Sequence, residues 1–424
     1  MKVAVVGGGS TYTPELVDGF ARMADQLTSA RIVIDELVLI DPAAARLDVV
    51  GPFSERIFAA AGHPGRIRWT SDLDDGLDGA GAVLIQLRVG GQAARTSDET
   101  FPLEFGCVGQ ETTGAGGLAK ALRTVPVVLA IAETAARRAA PGAWIVDFTN
   151  PVGIITRALL DAGHRAIGLC NVAIGVQRRF AGLLGVDPST VVLDHVGLNH
   201  LTWVHAATVD GVDVLPTLLV DHAATLAGTA GLPVDALLEL GCLPSYYLRY
   251  FFTHDAVVAE QRATGTRAEE VARIESELLE LYRDPALTTK PELLSRRGGA
   301  YYSEAAIGLL ASLAGDAPGP HAANVRNHGR LGFLDDDAVI EVTCDVGRDG
   351  ARPRPGRPLD PTQRGLIAHV SAYEELALDA ALRGGRERVY RALLAHPLVG
   401  QHALADGLTD RLLAANAPHL AWAR

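Results

Sequence analysis

The sequence predicts an α/β protein: a doubly wound parallel sheet, followed by a second domain of mixed α+β structure. Three observations carry that expectation. Short apolar runs alternate with helical spacings over about the first 170 residues. A glycine cluster follows the first of these runs at once. From Val191 the pattern changes to VVLDHVGLNHLTWVHAATV, whose alternation suits a strand or hairpin of an antiparallel or mixed sheet.

Taken in order, Val3 to Val6 form an apolar strand that stops at Gly7-Gly8-Gly9-Ser10, after which Pro14, Glu15, Leu16, Phe20 and Met23 recur at helical spacing. Further strands are expected at Leu37 to Ile40, ending in Asp41, and at Ala82 to Gln86, Trp144 to Phe148 and Ala166 to Leu169. Residues 1–170 are thus assigned to the parallel-sheet domain and 171–424 to the mixed one. Within the latter, Val271, Ile274, Leu278 and Leu281 mark Glu269 to Tyr282 as an amphipathic helix. Asp316 to Pro320 reads as a loop, and the last 50 residues read as helical, apolar enough to pack on the body or on another subunit.

Composition narrows the function classes. A chain of 424 residues exceeds one hydrophobic core, and 48% apolar with 21% charged residues excludes a disordered or collagen-like protein. A net charge of −12 with both signs mixed along the chain argues against nucleic acid and against an anionic membrane surface, so any anionic ligand needs local arginines. Cys107, Cys170, Cys242 and Cys344 lack CxxC spacing, which suggests neither a zinc ribbon nor a disulfide scaffold and suits a reducing cytoplasm. No export signal is legible behind Met1, and no uninterrupted apolar run reaches the roughly 20 residues that cross a bilayer.

Glycines after a first strand let the backbone approach a pyrophosphate at a helix N-terminus, where unpaired N–H groups favour negative charge. Gly7, Gly8, Gly9, Ser10 and Thr11 are therefore candidates for a dinucleotide site in a Rossmann-like domain. Tyr12 stands where the third glycine of GxGxxG belongs, so a plain glycine turn is also compatible. Asp41, at the end of the second strand, favours NAD, because a carboxylate there accepts from a ribose 2′-OH and repels a 2′-phosphate. Its alternative use is as a helix cap before Pro42.

VGGGSTYTPEL at 6–16 resembles the N-terminal signature of glycoside hydrolase family 4, and further segments similar to family motifs follow in order. They are QLRVGGQAARTSDE at 86–99, GQETTGAGGLAKALRT at 109–124, FTNPVGIIT at 148–156, GLCNVAIG at 168–175, GLNHLTW at 197–203, LPSYYLRY at 243–250 and RGGAYYSEAA at 297–306. The resemblance implies an NAD-dependent and divalent-metal-dependent hydrolase, usually with Mn²⁺. Such an enzyme acts by transient oxidation at C3 of a phosphorylated sugar, removal of the C2 proton, loss of the aglycone from C1, water addition and return of the hydride; these enzymes are an exception to two-carboxylate glycoside hydrolysis. Carried residue by residue, it implies Cys170 and His200 as metal ligands and Tyr247 as the base at C2. It implies Glu111 as the residue that raises the basicity of that tyrosine, and Arg95, Asn150 and Arg267 as substrate contacts, with Arg88 a weaker one in the same loop.

Judged alone, Cys170 is equally a small buried hydrophobe, His200 a structural histidine and Arg267 a solvated charge at a helix end. Tyr246, Tyr250 and Tyr301 are aromatic alternatives to Tyr247. Asn171 follows Cys170 where α-specific members of the family have Asp; an amide cannot protonate a leaving group, and CN resembles the 6-phospho-β-glucosidase type. Ala173 departs from the usual proline of that motif, so the leaving-group acid and the anomer preference stay open at this point. The expected substrate is a phosphorylated disaccharide or aryl glycoside, and the expected assembly a homo-oligomer, dimer or tetramer. The rival expectation is an NAD-dependent dehydrogenase of the malate or lactate type, which shares the fold and differs in the site.

Overall fold

β1 (Lys2–Val6) and β2 (Glu36–Ile40) are apolar on both faces, and such strands belong in a parallel sheet covered by helices on each side. That is their place in the computed structural model, which describes residues 1–24, 31–299, 301–315 and 318–423. With β3 (Arg66–Thr70), β4 (Ala82–Ile85), β5 (Trp144–Asp147) and β6 (Ala166–Gly168) they run in the order β3-β2-β1-β4-β5-β6, every pair parallel. This is the doubly wound Rossmann order, whose ligand crevice opens at the carboxyl ends of the strands where the order reverses, between β1 and β4.

β3 is not among the strands expected from apolar runs. It sits at the sheet edge, where only one flank is paired, and its Arg66 and Arg68 reach the carboxylate of Glu36 at 3.1 and 3.4 Å. An edge strand needs no continuous apolar run, and charge there discourages further pairing.

The antiparallel strands do not form a sheet of their own. β7 (Val192–Leu198) and β8 (Leu201–Val209) form the expected hairpin, with β9 (Val212–Asp213) and β10 (Leu243–Pro244) on β8. β11 (Gly319–Arg326) pairs along its length with β12 (Val339–Gly347), which also carries β13 (Gly350–Pro353). One antiparallel pairing, Asn324 with Gly168, joins β11 to β6, and two residues of β12 join it to β7. The result is one 13-stranded mixed sheet.

Gly319 and Pro320, expected in a loop, instead begin β11, while Asp316 and Ala317 of that loop lie outside the described residues. Pro320 is tolerated because it is near the strand start, in a stretch that pairs with β12 alone. The amphipathic helix spans Arg267–Tyr282, two residues earlier than its apolar spacing indicates. The C-terminal region forms helices Pro361–Arg383, Arg386–Ala395 and His402–Asn416, as expected.

Among the described residues, Gly114–Arg138 is the one helix long and apolar enough to cross a membrane, yet 78% of its apolar window is buried inside the protein. Lys120 and Arg123 interrupt it, each buried against a carboxylate: Lys120 on Glu111 at 2.9 Å and Arg123 on Asp98 at 2.5 Å.

Candidate active site

Gly7 leaves β1 with φ +88°, and its N–H and that of Gly8 both donate to the Ile40 carbonyl at 2.9 Å. A Cβ on Gly8 would lie 2.7 Å from Leu39, and one on Gly9 would lie 2.9 Å from the Asp41 carboxyl carbon. Bare glycines thus bring the turn down onto β2 and leave its other side open. Asp41 accepts from Gly9 N at 3.1 Å and from Ala43 N at 2.9 Å, fixing the carboxylate at the strand end; the cap position of the next helix is Ala43, not Asp41.

A cleft of about 1000 Å³ opens here, lined by Gly7, Ser10, Asp41, Arg88 and Asn150 among others. Gly8, Gly9 and Thr11 stand behind its wall, Thr11 fully buried with its hydroxyl on Glu275 at 3.1 Å. Tyr12 is buried too, its hydroxyl donating to the Gly299 carbonyl. The cradle and the volume fit a dinucleotide.

Asn150, which follows β5, also lines a second cleft of about 480 Å³, together with Arg95, Glu111, Tyr247, Arg249 and Arg267. Its side-chain oxygen is buried and has no hydrogen-bond partner among the described residues. Between the clefts lies a cluster of charge. Glu111 takes a bidentate contact from Arg88, Lys120 at 2.9 Å and Arg95 at 3.3 Å. Burial alone would raise the Glu111 carboxyl, but Lys120, Arg88 and Arg95 outweigh it and hold the group well below the usual carboxylate range. Arg95 also donates to Glu99 at 2.7 Å, and Glu99 accepts from Ala268 N at 2.9 Å. That carboxylate ties Arg95 to the N-terminus of the helix that carries Arg267. Arg267 is 44% exposed, pairs with Glu270 and donates to the Arg296 carbonyl at 2.6 Å.

The hairpin between β7 and β8 turns at Asn199 and His200, the latter with φ +63°. His200 is buried, shares a hydrogen bond of 2.9 Å between Nδ1 and the Thr112 hydroxyl, and stacks on Tyr247. Burial pushes its imidazole down to about 4, so the ring is neutral. With Nδ1 committed to Thr112, Nε2 remains to hold an ion.

Cys170 follows β6 at the start of helix Val172–Leu184. Burial raises its thiol well above the ordinary range and Glu341 adds to this, while the Val172 and Asn171 backbone amides and the Asn199 side chain stabilise the thiolate. Glu341 is itself buried and accepts from His195 at 2.9 Å, Asn199 at 2.8 Å and Asn324 at 3.0 Å. Burial also pushes the Tyr247 phenol well above 10, with Cys170, Tyr250 and Glu111 adding and Arg95 opposing.

A soft sulfur that gives up its proton when a cation binds, a neutral imidazole and a fixed negative charge behind them suit a divalent cation. Among the described residues no cluster of three or more His, Cys, Asp or Glu could hold one. Two protein donors would leave several coordination positions open.

Asn171 borders a third cleft rather than the second. The structure also adds residues not singled out in the sequence. Lys120 completes the Glu111 cluster, and Arg297 donates to Thr11 at 2.7 Å and to Glu275 at 2.9 Å over the glycine turn. Tyr302 lines the large cleft, and burial, with Cys170 and Tyr247 adding, pushes its phenol far up. All three lie inside motifs quoted above, which was the available signal.

Residues 2–186 match the profile of family 4 glycosyl hydrolases, and residues 195–399 match that of the family 4 glycosyl hydrolase C-terminal domain. The chain belongs to glycosyl hydrolase family 4. It is 38% identical to a probable 6-phospho-β-glucosidase of Bacillus subtilis (strain 168), over 99% of this chain and 97% of that one. It is 36% identical to the 6-phospho-β-glucosidase of Escherichia coli (strain K12), over 98% and 95% of the two chains. The structure of the 6-phospho-β-glucosidase of Thermotoga maritima with manganese, NAD⁺ and glucose-6-phosphate matches with a TM-score of 0.92 at 33% identity, covering 99% of each chain. In this family 4 chain the two clefts meet at Asn150, and the Tyr247–His200 stack borders the smaller one.

Proposed function

We propose that this family 4 protein hydrolyses 6-phospho-β-glucosides, with NAD in the large cleft and a divalent cation, Mn²⁺ in the first instance, at Cys170 and His200. The observation that carries the reading is Tyr247: it stacks on His200 and lines the same cleft as Arg95 and Arg267. When bound, NAD would supply a hydride acceptor at C3 and the cation a positive charge beside the C2 and C3 oxygens, which makes the C2 proton removable.

Tyr247 then takes that proton. Its phenol is held far above neutrality by burial, so a nearby cation is needed to bring it into use. Glu111 keeps Arg88, Arg95 and Lys120 gathered next to it. Arg95 and Arg267 bind the phosphate and Asn150 orients the sugar. A cation in the first turn of a helix opposes the helix dipole, which supports a ligand-binding use for Arg267. Asn171 can hydrogen-bond to the leaving group without protonating it, which supports the β reading. The glycine turn with Ser10 and Asp41 holds the dinucleotide. We assign 1–170 to NAD binding and 171–424 to metal, substrate and subunit contacts in a homo-oligomer.

The test is turnover of 4-nitrophenyl 6-phospho-β-glucoside with NAD and Mn²⁺ each present or omitted. Activity is expected only with both. Activity confined to the unphosphorylated glucoside overturns the substrate, and net NADH accumulation with a 2-hydroxy acid favours the malate/lactate-type dehydrogenase.

A further inference from the structure

Lysine is scarce in this chain: three lysines stand against 35 arginines. Lys2 and Lys290 are partly exposed, and Lys120 is the buried one. One turn further along the same helix, the buried carboxylate of Asp98 is held by Arg123 at 2.5 Å, so arginine serves as the ordinary buried partner here. A guanidinium keeps its proton throughout, whereas a buried ammonium gives one up readily. We propose that Lys120 is a catalytic base: its amine takes the C3 hydroxyl proton as the C3 hydrogen leaves as hydride, and returns it when the hydride comes back. This rests on the function proposed above.

Placement carries the assignment. Lys120 lines the large cleft, with 4% of its side chain open, and Glu111, which it meets at 2.9 Å, lines the smaller one. The ion pair thus crosses the wall between the dinucleotide cleft and the sugar cleft. C3 is the carbon that gives its hydride to the dinucleotide, so an acceptor for the proton on its oxygen belongs at that wall.

Charge is the second argument. Glu111 gathers Arg88, Arg95 and Lys120, and Glu99 offsets Arg95 at 2.7 Å, which leaves Arg88 and Lys120 on one carboxylate. Among the described residues Nζ hydrogen-bonds to Glu111 alone, so two of its three N–H groups are unmet. Of the cations gathered there, only the ammonium can relieve the excess by losing a proton. Burial, then the charge of Arg88, lower the Lys120 amine to about 8 against the pull of Glu111, and His200, which feels the same cation, is neutral.

The step balances. The C3–H electron pair passes to NAD⁺, the O3–H proton passes to Nζ, and the C3–O bond becomes a carbonyl. The last step of the turnover reverses all three, so Lys120 ends as the neutral amine it began as.

The experiment follows nitrophenol release from 4-nitrophenyl 6-phospho-β-glucoside and from its 3-keto form, which enters after the oxidation. Wild type, Lys120→Met and Lys120→Arg are compared with NAD and Mn²⁺. Both variants should slow release from the glycoside by about 10²-fold and keep release from the 3-keto substrate within about threefold. Equal losses on the two substrates overturn the base. So does Lys120→Arg at the wild-type rate on the glycoside, which a mere partner of Glu111 would allow. A second readout needs neither turnover nor a Lys120 variant. With ¹³C at Cε of the three lysines, assigned through Lys2→Arg and Lys290→Arg, NMR of the ligand-free protein should show the Lys120 signal titrating near pH 8. A signal still that of an ammonium at about pH 10, as for an ordinary lysine, overturns the proposal. A wild type inactive on the glycoside removes the underlying function and the base with it; wild-type release from the glycoside upholds that function and leaves the ratio of the two substrates to decide the base.

Discussion

The imidazole of His200 lies flat on the phenol ring of Tyr247, with ring centroids 3.7 Å apart and planes 6° apart. The stack brings together a residue of the β7–β8 turn and one of the segment after β10, which are 47 positions apart in the chain. A cation held at His200 is therefore felt directly at the phenol.

Cys170→Ser or His200→Ala should abolish metal-dependent turnover and weaken Mn²⁺ binding at least tenfold, while NAD affinity stays within about threefold, since the dinucleotide cleft is lined by other segments. Equilibrium dialysis for the metal and fluorescence titration for NAD check this. Parallel loss of both ligands would mean a damaged fold instead.

The buried histidines should cost the metal-free protein stability in mild acid, while the buried carboxyls of Asp147 and Glu374, raised to about 8, pull the other way, so the histidine contribution is read from variants. Burial pushes His200 and His321 down to about 4, from an ordinary 6.5, and His396 to about 3. Below 6.5 the unfolded chain's histidines take protons that the folded ones refuse, so their contribution to stability rises with pH through that window and is lost on going from pH 6.5 towards 4. Each such histidine contributes up to about 1.4 kcal/mol per pH unit. Thermal melts between pH 7 and 5 should show a more favourable change in Tm on acidification for His321→Gln and His396→Gln than for the wild type, and an unchanged pH slope contradicts the buried neutral rings.

Tyr247→Phe should slow turnover and C2 exchange together by about 10²-fold or more, the usual loss for a general base. Turnover in heavy water should leave deuterium at C2 of the sugar phosphate and retain hydrogen at C3. Product with no deuterium at C2, from an enzyme whose base is shown to exchange with solvent, sinks the assignment.

Glu111→Gln removes the one carboxylate shared by Arg88, Lys120 and Arg95. Stripping a partner from a buried charge cluster costs about 3 kcal/mol or more, so a clear drop in urea midpoint is expected. Glu111→Asp should recover part of it. An unchanged midpoint for the glutamine variant means that the cluster is not what holds these segments together.

Local chemistry alone determined the parallel half and the hairpin. Apolar runs with glycine stops place β1, β2, β4, β5 and β6 to within a residue or so, because a strand buried on both faces leaves an unbroken apolar signature. Val191 onward reads as a hairpin from its apolar alternation, although β7 and β8 are buried on both faces, Trp203 in one core and Val204 in another, and the glycine turn is legible because only glycine fits against Leu39 and Asp41. Cys170, His200, Tyr247 and Glu111 were singled out only through the family resemblance, and their neighbourhood was not legible. β3 escaped notice because an edge strand tolerates Arg66 and Arg68, and β11 because it opens with Gly319 and Pro320. Only the tertiary structure decided that β6 pairs with β11, making one sheet of two patterns. It also brought Lys120 and Arg88 to Glu111, put Tyr302 within reach of Cys170, and set Asn171 in a cleft apart from Arg95. Such contacts join segments far apart in sequence, and their distances follow from strand order and packing, which residue spacing along the chain does not encode.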